Sequence, residues 1–376
     1  MKLLLIEPYF TGSHKQWADD LKRVLSCKVD IITLPGEYWK WRMHGGAIQC
    51  AKQLLNSDLS PDIILVSDMC DLTTFSSLIR HKFAQTPIYL YFHENQLTYP
   101  WSPTDRDLIK SRDTHYQFIN YSSALAADKV FFNSQYHKQS FLNALPSFLN
   151  QFPDQKGLNT IQTISDKSHV LYLGLDLTRF DTHNHNKKTN KTPTFLWNHR
   201  WEYDKGPVLL LEVANLLSIS GSAIRLHIVG EGFRQVPKEF DQIRDLLQEH
   251  ANNLAIESGQ FGYIEDEASY HGLLASCDVV LSTALHDFQG LAIQEACFAG
   301  CTPLAPNCLV YPEYLPENLL YKRHESDEAT AKLVLERLQQ WLILKQEDQA
   351  LPKIELENYA AEKLRTNYKV LFEFAN

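Results

Sequence analysis

Short apolar runs recur along the chain, separated by segments with helical spacing. Residues 2–6, 28–33, 62–66, 88–91, 129–132 and 169–173 read as buried strands. Between them, helical periodicity is clearest over residues 15–25, 114–127 and 134–145, while 152–167 predicts a long surface loop. Residues 181–193 (DTHNHNKKTNKTP) carry almost no apolar side chain and predict a polar linker. The pattern then restarts, with strands expected at 194–198, 224–229, 254–261, 278–282 and 302–305. Pro207 suits the first turn of a helix, and helices are expected over 329–344 and 356–373. Such alternation predicts an α/β protein of two Rossmann-like, doubly wound domains, 1–180 and 194–355, and a C-terminal helix, 356–376. Open sheets of this kind bind ligands at the carboxyl ends of their strands. The informative residues should therefore lie just after strands.

Composition narrows the class. The chain has 376 residues, 44% hydrophobic and 22% charged, enough for two cores. Its net charge is -9, unevenly spread: residues 1–180 hold 18 basic and 17 acidic side chains, residues 181–376 hold 18 and 28. That balance argues against indiscriminate nucleic-acid binding and makes the first half the less repulsive one for a polyanion. Cys27, Cys50, Cys70, Cys277, Cys297, Cys301 and Cys308 fit no zinc spacing and read as thiols of a reducing compartment. No signal-like segment follows Met1, and no uncharged apolar stretch is long enough to span a bilayer, so a cytoplasmic protein is expected.

Several strand ends carry chemistry. After the first strand, Gly12, Ser13 and His14 open a helix whose free N–H groups suit an anion; an ordinary turn capped by Ser13 is the competing reading. After the fourth, His93, Glu94, Asn95 and Gln96 set four hydrogen-bonding side chains in a row, as hydroxyl recognition requires. Trp39, Trp41 and Arg42 suit stacking on a base or sugar, or equally a helix start packed on the sheet. In the second half, Arg200 and Lys205 precede the helix at Pro207 and suit a diphosphate. Gly230 and Gly232 end a strand where a ligand could approach the backbone, and Tyr263 follows the next. The segment Asp287-Phe288-Gln289-Gly290-Leu291 leads into a helix bearing Glu295, so N–H groups face an anion and a carboxylate faces a diol.

Arg200 with Lys205, Gly230-Glu-Gly232 and the acid pair Asp287 and Glu295 resemble the donor half of retaining GT-B glycosyltransferases. LGLD at 173–176 with Phe180 is similar to that group's hinge, without its Pro. EPYFTGSHKQ, WKWRMHGGA, YFHENQLTYP, FFNSQYHKQSF, NHRWEYDKGP and CLVYPE resemble the tRNA-queuosine mannosyltransferase family, in order along nearly the whole chain. The resemblance implies a GT-B fold whose C-terminal helix can return to the N-terminal domain. It implies GDP-mannose as donor substrate, no other cofactor, no metal, and the cyclopentenediol of queuosine at the wobble position of tRNA-Asp as acceptor. By the same resemblance Arg200 and Lys205 hold the diphosphate, Glu295 the ribose, and Asp287 with Phe288, Gln289, Gly290 and Leu291 the hexose and phosphates. Gly12, Gly230 and Tyr263 complete the donor side, and His93 contacts the hexose. Ser13, His14, Arg42, Glu94, Asn95 and Gln96 are expected on the acceptor side. Asp287 stands where the family usually has Glu, which leaves the donor hexose open.

Two other readings fit parts of the chain. One is a GT-B transferase using another sugar nucleotide or a glycan or lipid acceptor, docked on a membrane by a basic amphipathic helix. The 15–25 segment carries Lys22 and Arg23 but also Asp19 and Asp20, a poor match. The other is a non-catalytic tRNA- or nucleotide-binding protein, since fold alone never establishes activity. A tRNA enzyme of this net charge needs a local positive field, expected from Lys15, Arg42, Lys110 and Arg112.

Overall fold

The computed structural model describes residues 1–101, 114–176, 180, 192–221, 223–232, 235–250 and 256–373. They divide into two units: Met1–Leu175 with Asn358–Asn376, and Asp176–Glu357. Most of the expected linker, with Lys110 and Arg112, lies outside the described residues.

The first unit strings strands β1 (Lys2–Phe10), β2 (Lys28–Pro35), β3 (Ile63–Ser67), β4 (Ile88–Phe92), β5 (Lys129–Phe132) and β6 (Ser168–Val170) through helices α1 (Gly12–Val24), α2 (Trp39–Leu55), α3 (Leu72–Phe83), α4 (Thr114–Ala126), α5 (Gln135–Leu149) and α6 (Thr160–Asp166). All strand pairs are parallel, in the order β2-β1-β3-β4-β5-β6. Strands β3 and β4 are buried along their whole length, as a sheet covered on both faces requires. Leu4, Val66, Phe92 and Phe132 lie in one continuous core, with Phe92 and Phe132 stacked at 4.9 Å.

The loop expected over 152–167 is corrected by α6: Ile164 is fully buried and Ile161 packs on the same core. Their three-residue spacing is one turn of helix, too short to stand out by periodicity. The last helix, α12 (Ala361–Glu373), follows a 3-10 turn at Glu357–Tyr359 and belongs to the first unit. It is tied there by a parallel bridge between Leu175 and Ala360 and by the Tyr368 hydroxyl donating to the Tyr172 carbonyl at 2.9 Å.

The second unit carries β7 (Thr194–Trp197), β8 (Ile224–Val229), β9 (Ile256–Gly262), β10 (Val279–Leu281), β11 (Thr302–Pro306) and β12 (Leu320–Tyr321). Its helices are α7 (Pro207–Ile219), α8 (Glu239–His250), α9 (Glu267–Ser276), α10 (Leu291–Phe298) and α11 (Asp327–Gln346). The order β12-β11-β10-β7-β8-β9 is all parallel and places β7 beside β10. Chain direction across the sheet reverses between those two strands, which makes this the ligand-binding switch point of a doubly wound sheet. Trp197, fully buried, ties the point together by donating to the Thr283 hydroxyl at 2.9 Å. All seven cysteines are free thiols.

Candidate active site

The β7–β10 switch point gathers the expected donor residues. A 3-10 turn at Tyr203–Lys205 follows β7 and buries Lys205 to 8% exposure. Its ammonium donates to the His286 carbonyl at 2.8 Å and lies 3.2 Å from the Asp204 carboxylate. Burial opposes that charge, but Asp287 and Asp204 outweigh it and raise the Lys205 pKa, so the cation is permanent. The ammonium is thus held by one hydrogen bond and one ion pair.

Asp287 is fixed from two sides. One oxygen accepts from the Gly290 N–H at 2.9 Å and the other from the Tyr311 hydroxyl at 3.0 Å. Burial pushes its carboxyl up, yet Lys205, His199 and these two bonds hold it below the usual carboxylate value. Each oxygen keeps a second lone pair for substrate. Asp287 therefore also shapes the loop that starts α10. Gly290 caps that helix at φ +72°, and a Cβ there would meet the Tyr314 hydroxyl at 2.5 Å. Ile293 and Gln294 donate back to the Gly290 carbonyl, so Leu291 and Ala292 carry the N–H groups that an anion at this helix start could meet. The side chains of Phe288 and Gln289 are buried, so their contribution to a ligand comes from backbone.

Glu295, one turn into α10, accepts from the Tyr270 hydroxyl at 3.1 Å, and Tyr270 accepts in turn from Asn198 at 3.1 Å. Arg200, half-exposed, pairs with Glu202 at 3.2 Å. His199 is buried, its Nε2 has no hydrogen-bond partner, and its pKa falls to about 4, chiefly by desolvation.

Two donor-side expectations change meaning. Gly230 does sit at a close backbone approach, but to the chain itself: a Cβ would lie 1.8 Å from the His199 carbonyl oxygen. Tyr263 follows β9, the strand at the sheet's edge, and is 60% exposed.

In the first unit, the C-terminal half of β1 and the ends of β3 and β4 bring together Glu7, His14, Asp68 and His93. His14 Nδ1 lies 3.1 Å from the Glu7 carboxylate, and its ring centroid is 4.2 Å from that of His93. The His93 N–H donates to Asp68 at 2.9 Å. Glu7, His14 and His93 bring one donor atom each within 4.8 Å of one another. Two of these donors, His14 and Glu7, already pair with each other at 3.1 Å. Glu7 and Asp68 were not singled out along the sequence; an acid directly after a continuous apolar run, 2–6 for Glu7 and β3 for Asp68, is the signal that marks them.

Other acceptor-side residues divide. Thr11, not Ser13, is the N-cap of α1, and Ser13 is exposed inside the helix. A Cβ at Gly12, where φ is +50°, would meet nothing within 4 Å. Asn95 is fully buried, and its oxygen accepts from the Leu97 and Thr98 N–H groups, so it builds the turn; its Nδ2 has no partner. Gln96 is buried and its N–H donates to Asn120 at 2.7 Å. Glu94 is half-buried beside them. Arg42 donates to the Pro35 carbonyl at 3.1 Å. The tryptophans of α2 separate: Trp39 packs with Trp101 and Tyr116, whereas Trp41 is 62% exposed. Helix α1 buries Trp17, Ala18 and Leu21 within its own unit. No helix among the described residues is long and apolar enough to cross a membrane.

Similarity to known proteins identifies the fold and the family. Solved structures of like fold include a glycosyltransferase from Rickettsia africae (TM-score 0.64, 15% identity, 100% of this chain and 98% of that one). Anabaena HepE in complex with UDP matches with TM-score 0.63 and 15% identity over 99% of each chain. The fold is that of the GT-B glycosyltransferases. Residues 178–351 match the family described as glycosyl transferases group 1, and residues 2–175 match the tRNA-queuosine alpha-mannosyltransferase N-terminal family. A Drosophila melanogaster tRNA-queuosine alpha-mannosyltransferase is 35% identical over 378 aligned positions, covering 98% of this chain and 96% of the relative. On this full-length relative and the two family matches, this chain belongs to the tRNA-queuosine alpha-mannosyltransferase family.

Proposed function

We propose that the protein transfers mannose from GDP-mannose, with retention, to the cyclopentenediol of queuosine at the wobble position of tRNA-Asp in the cytoplasm. The observation that carries the donor half is the buried Lys205 ammonium beside Asp287 and the N-terminus of α10. A fixed cation and a row of N–H groups are preorganised for the charge that develops on a departing diphosphate, and such stabilisation is usually the largest catalytic term. Arg200 adds a second cation, and Glu295 is the carboxylate for a ribose diol. The departing phosphate takes the acceptor's proton on the same face, so no general base and no metal is required. His93 positions the hexose. Arg42, Glu94 and the N-terminal turn of α1 serve the acceptor side, with Asn95 and Gln96 holding that loop in shape.

The test is transfer of labelled sugar by the purified protein from GDP-mannose, GDP-glucose and UDP-glucose to tRNA-Asp with and without queuosine. Label should move only from GDP-mannose and only to the queuosine-bearing tRNA. Transfer from another donor would keep the acceptor and relocate the specificity to the surroundings of Asp287. Equal transfer to both tRNAs would remove the queuosine assignment.

A further inference from the structure

Glu7 lies in the buried stretch of β1 with no exposure to solvent. A carboxylate there needs a counter-charge, because an unpaired buried charge costs several kcal/mol. One oxygen accepts from the Tyr9 N–H at 2.9 Å and the other meets His14 Nδ1 at 3.1 Å. His14 is itself buried, at the third position of α1. A helix N-terminus disfavours a cation, so the charge on that ring depends on Glu7. The neighbouring ring of His93 is held by Trp17 edge-on at 4.5 Å and by Tyr91 at 4.9 Å, and its Nε2 is buried without a hydrogen-bond partner. A buried ring nitrogen without a partner, in a ring packed on two sides, is open to a ligand that completes it.

We propose that Glu7 is a positioning residue for sugar transfer: it fixes His14 as the proton-bearing ring against a proton-accepting His93, so that the ends of β1 and β4 offer the substrate one imidazole donor and one imidazole acceptor. The pair suits a phosphorylated sugar, with an anionic oxygen on His14 and a hydroxyl donating to His93. This rests on the transferase reading for its activity arm alone.

The charges facing the pair agree. Burial lowers the His14 pKa, but Glu7, then Asp68 and Glu94, overcome it and raise the value to about 9. Burial, His14 and His137 drive His93 well below its ordinary value. Burial raises Asp68 to about 8, and the Cys50 thiol behind Glu7, raised to about 12, stays neutral. Tyr9 and Tyr91 are the other titratable groups against the pair.

Histidine-selective 15N NMR of the full-length protein, with His14 assigned from a His14→Gln sample, reads the ring states directly. His14 should stay protonated to near pH 9 and His93 neutral down to pH 5. Glu7→Gln should lower the His14 midpoint by about 2 units. The alkaline limb of kcat/KM for transfer should move down with it, and activity at pH 8 should fall at least tenfold, while Glu7→Asp recovers part of both. A neutral His14 at pH 7.5 in the wild-type protein, a bound metal ion on these rings, or a wild-type pH profile in folded Glu7→Gln overturns the proposal. Should Glu7→Gln fail to fold, the wild-type resonances and loss of the alkaline limb in His14→Gln decide it. A wild-type protein inactive on queuosine-bearing tRNA sinks the transferase reading and leaves the ring states measurable.

Discussion

The Lys205 ammonium donates to the His286 carbonyl at 2.8 Å, joining the turn after β7 to the loop after β10. That bond crosses the point where the order of the second sheet reverses. It makes one side chain both the proposed phosphate ligand and a strut of the loop that carries Asp287. Lys205→Met should therefore lower kcat/KM at least 100-fold. It should also destabilise the fold by about 3 kcal/mol, because the fully buried Asp204 loses its counter-charge. Adding Asp204→Asn should restore much of the urea midpoint and none of the transfer. Recovery of activity in the double variant would contradict the role of Lys205.

Gly230 and Gly12 separate structure from function. Gly230→Ala drives a methyl into the His199 carbonyl, 1.8 Å from the ideal Cβ, so the second unit should lose its cooperative thermal transition. At Gly12 a Cβ would meet nothing within 4 Å, and only the positive φ of +50° is strained, so Gly12→Ala should cost about 1 kcal/mol. If substrate approaches that backbone, transfer should fall far more than stability. Equal small losses in both would remove Gly12 from the site.

Acid should destabilise the second unit. His227, at 9% exposure, accepts from the Gln260 N–H at 2.8 Å, and burial, then Arg225, lowers its pKa from 6.5 to about 4. The folded state thus binds fewer protons than the unfolded one between these values. The stability that neutral His227 contributes is complete above pH 6.5 and is lost as pH falls toward 4, at most about 3 kcal/mol. His199 adds to the same slope. His14 has the opposite sign: its contribution is present below pH 6.5 and lost as pH rises through 9. Denaturant midpoints across pH 4 to 7 should flatten in His227→Gln; an unchanged slope would contradict this assignment.

Trp41 and Trp39 lie two residues apart on α2 with opposite expectations. Trp41, 62% exposed and flanked by Lys40 and Arg42, is placed to stack on a nucleobase. Trp41→Ala should leave stability within about 0.5 kcal/mol and weaken tRNA binding 5- to 100-fold, the range of one lost base–aromatic stack. Trp39→Ala should instead lower the thermal midpoint, since its ring packs with Trp101 and Tyr116.

Much of this was legible along the chain because parallel strands buried on both faces read as continuous apolar runs, as at β3 and β4. Residues following such runs, Lys205, Asp287 and His93 among them, could be singled out by position alone. Three things were not legible. Helix α6 is about two turns of mixed residues, below what periodicity resolves. Gly230 has the signature of a ligand-facing turn, yet its φ of +154° serves an internal contact with His199, which adjoins it only through sheet pairing. Glu7 and Asp68 are unremarked single acids until the sheet order places β1 beside β3 and β3 beside β4.

The most direct measurement is the mass of the modified nucleoside. Queuosine-bearing tRNA is incubated with the purified protein and GDP-mannose, digested, and resolved by liquid chromatography and mass spectrometry. The account predicts that queuosine gains one hexose, that released sugar has the α-mannose configuration, and that Lys205→Met abolishes the product while tRNA binding persists. Queuosine of unchanged mass, with GDP-mannose bound by the folded protein, would contradict it.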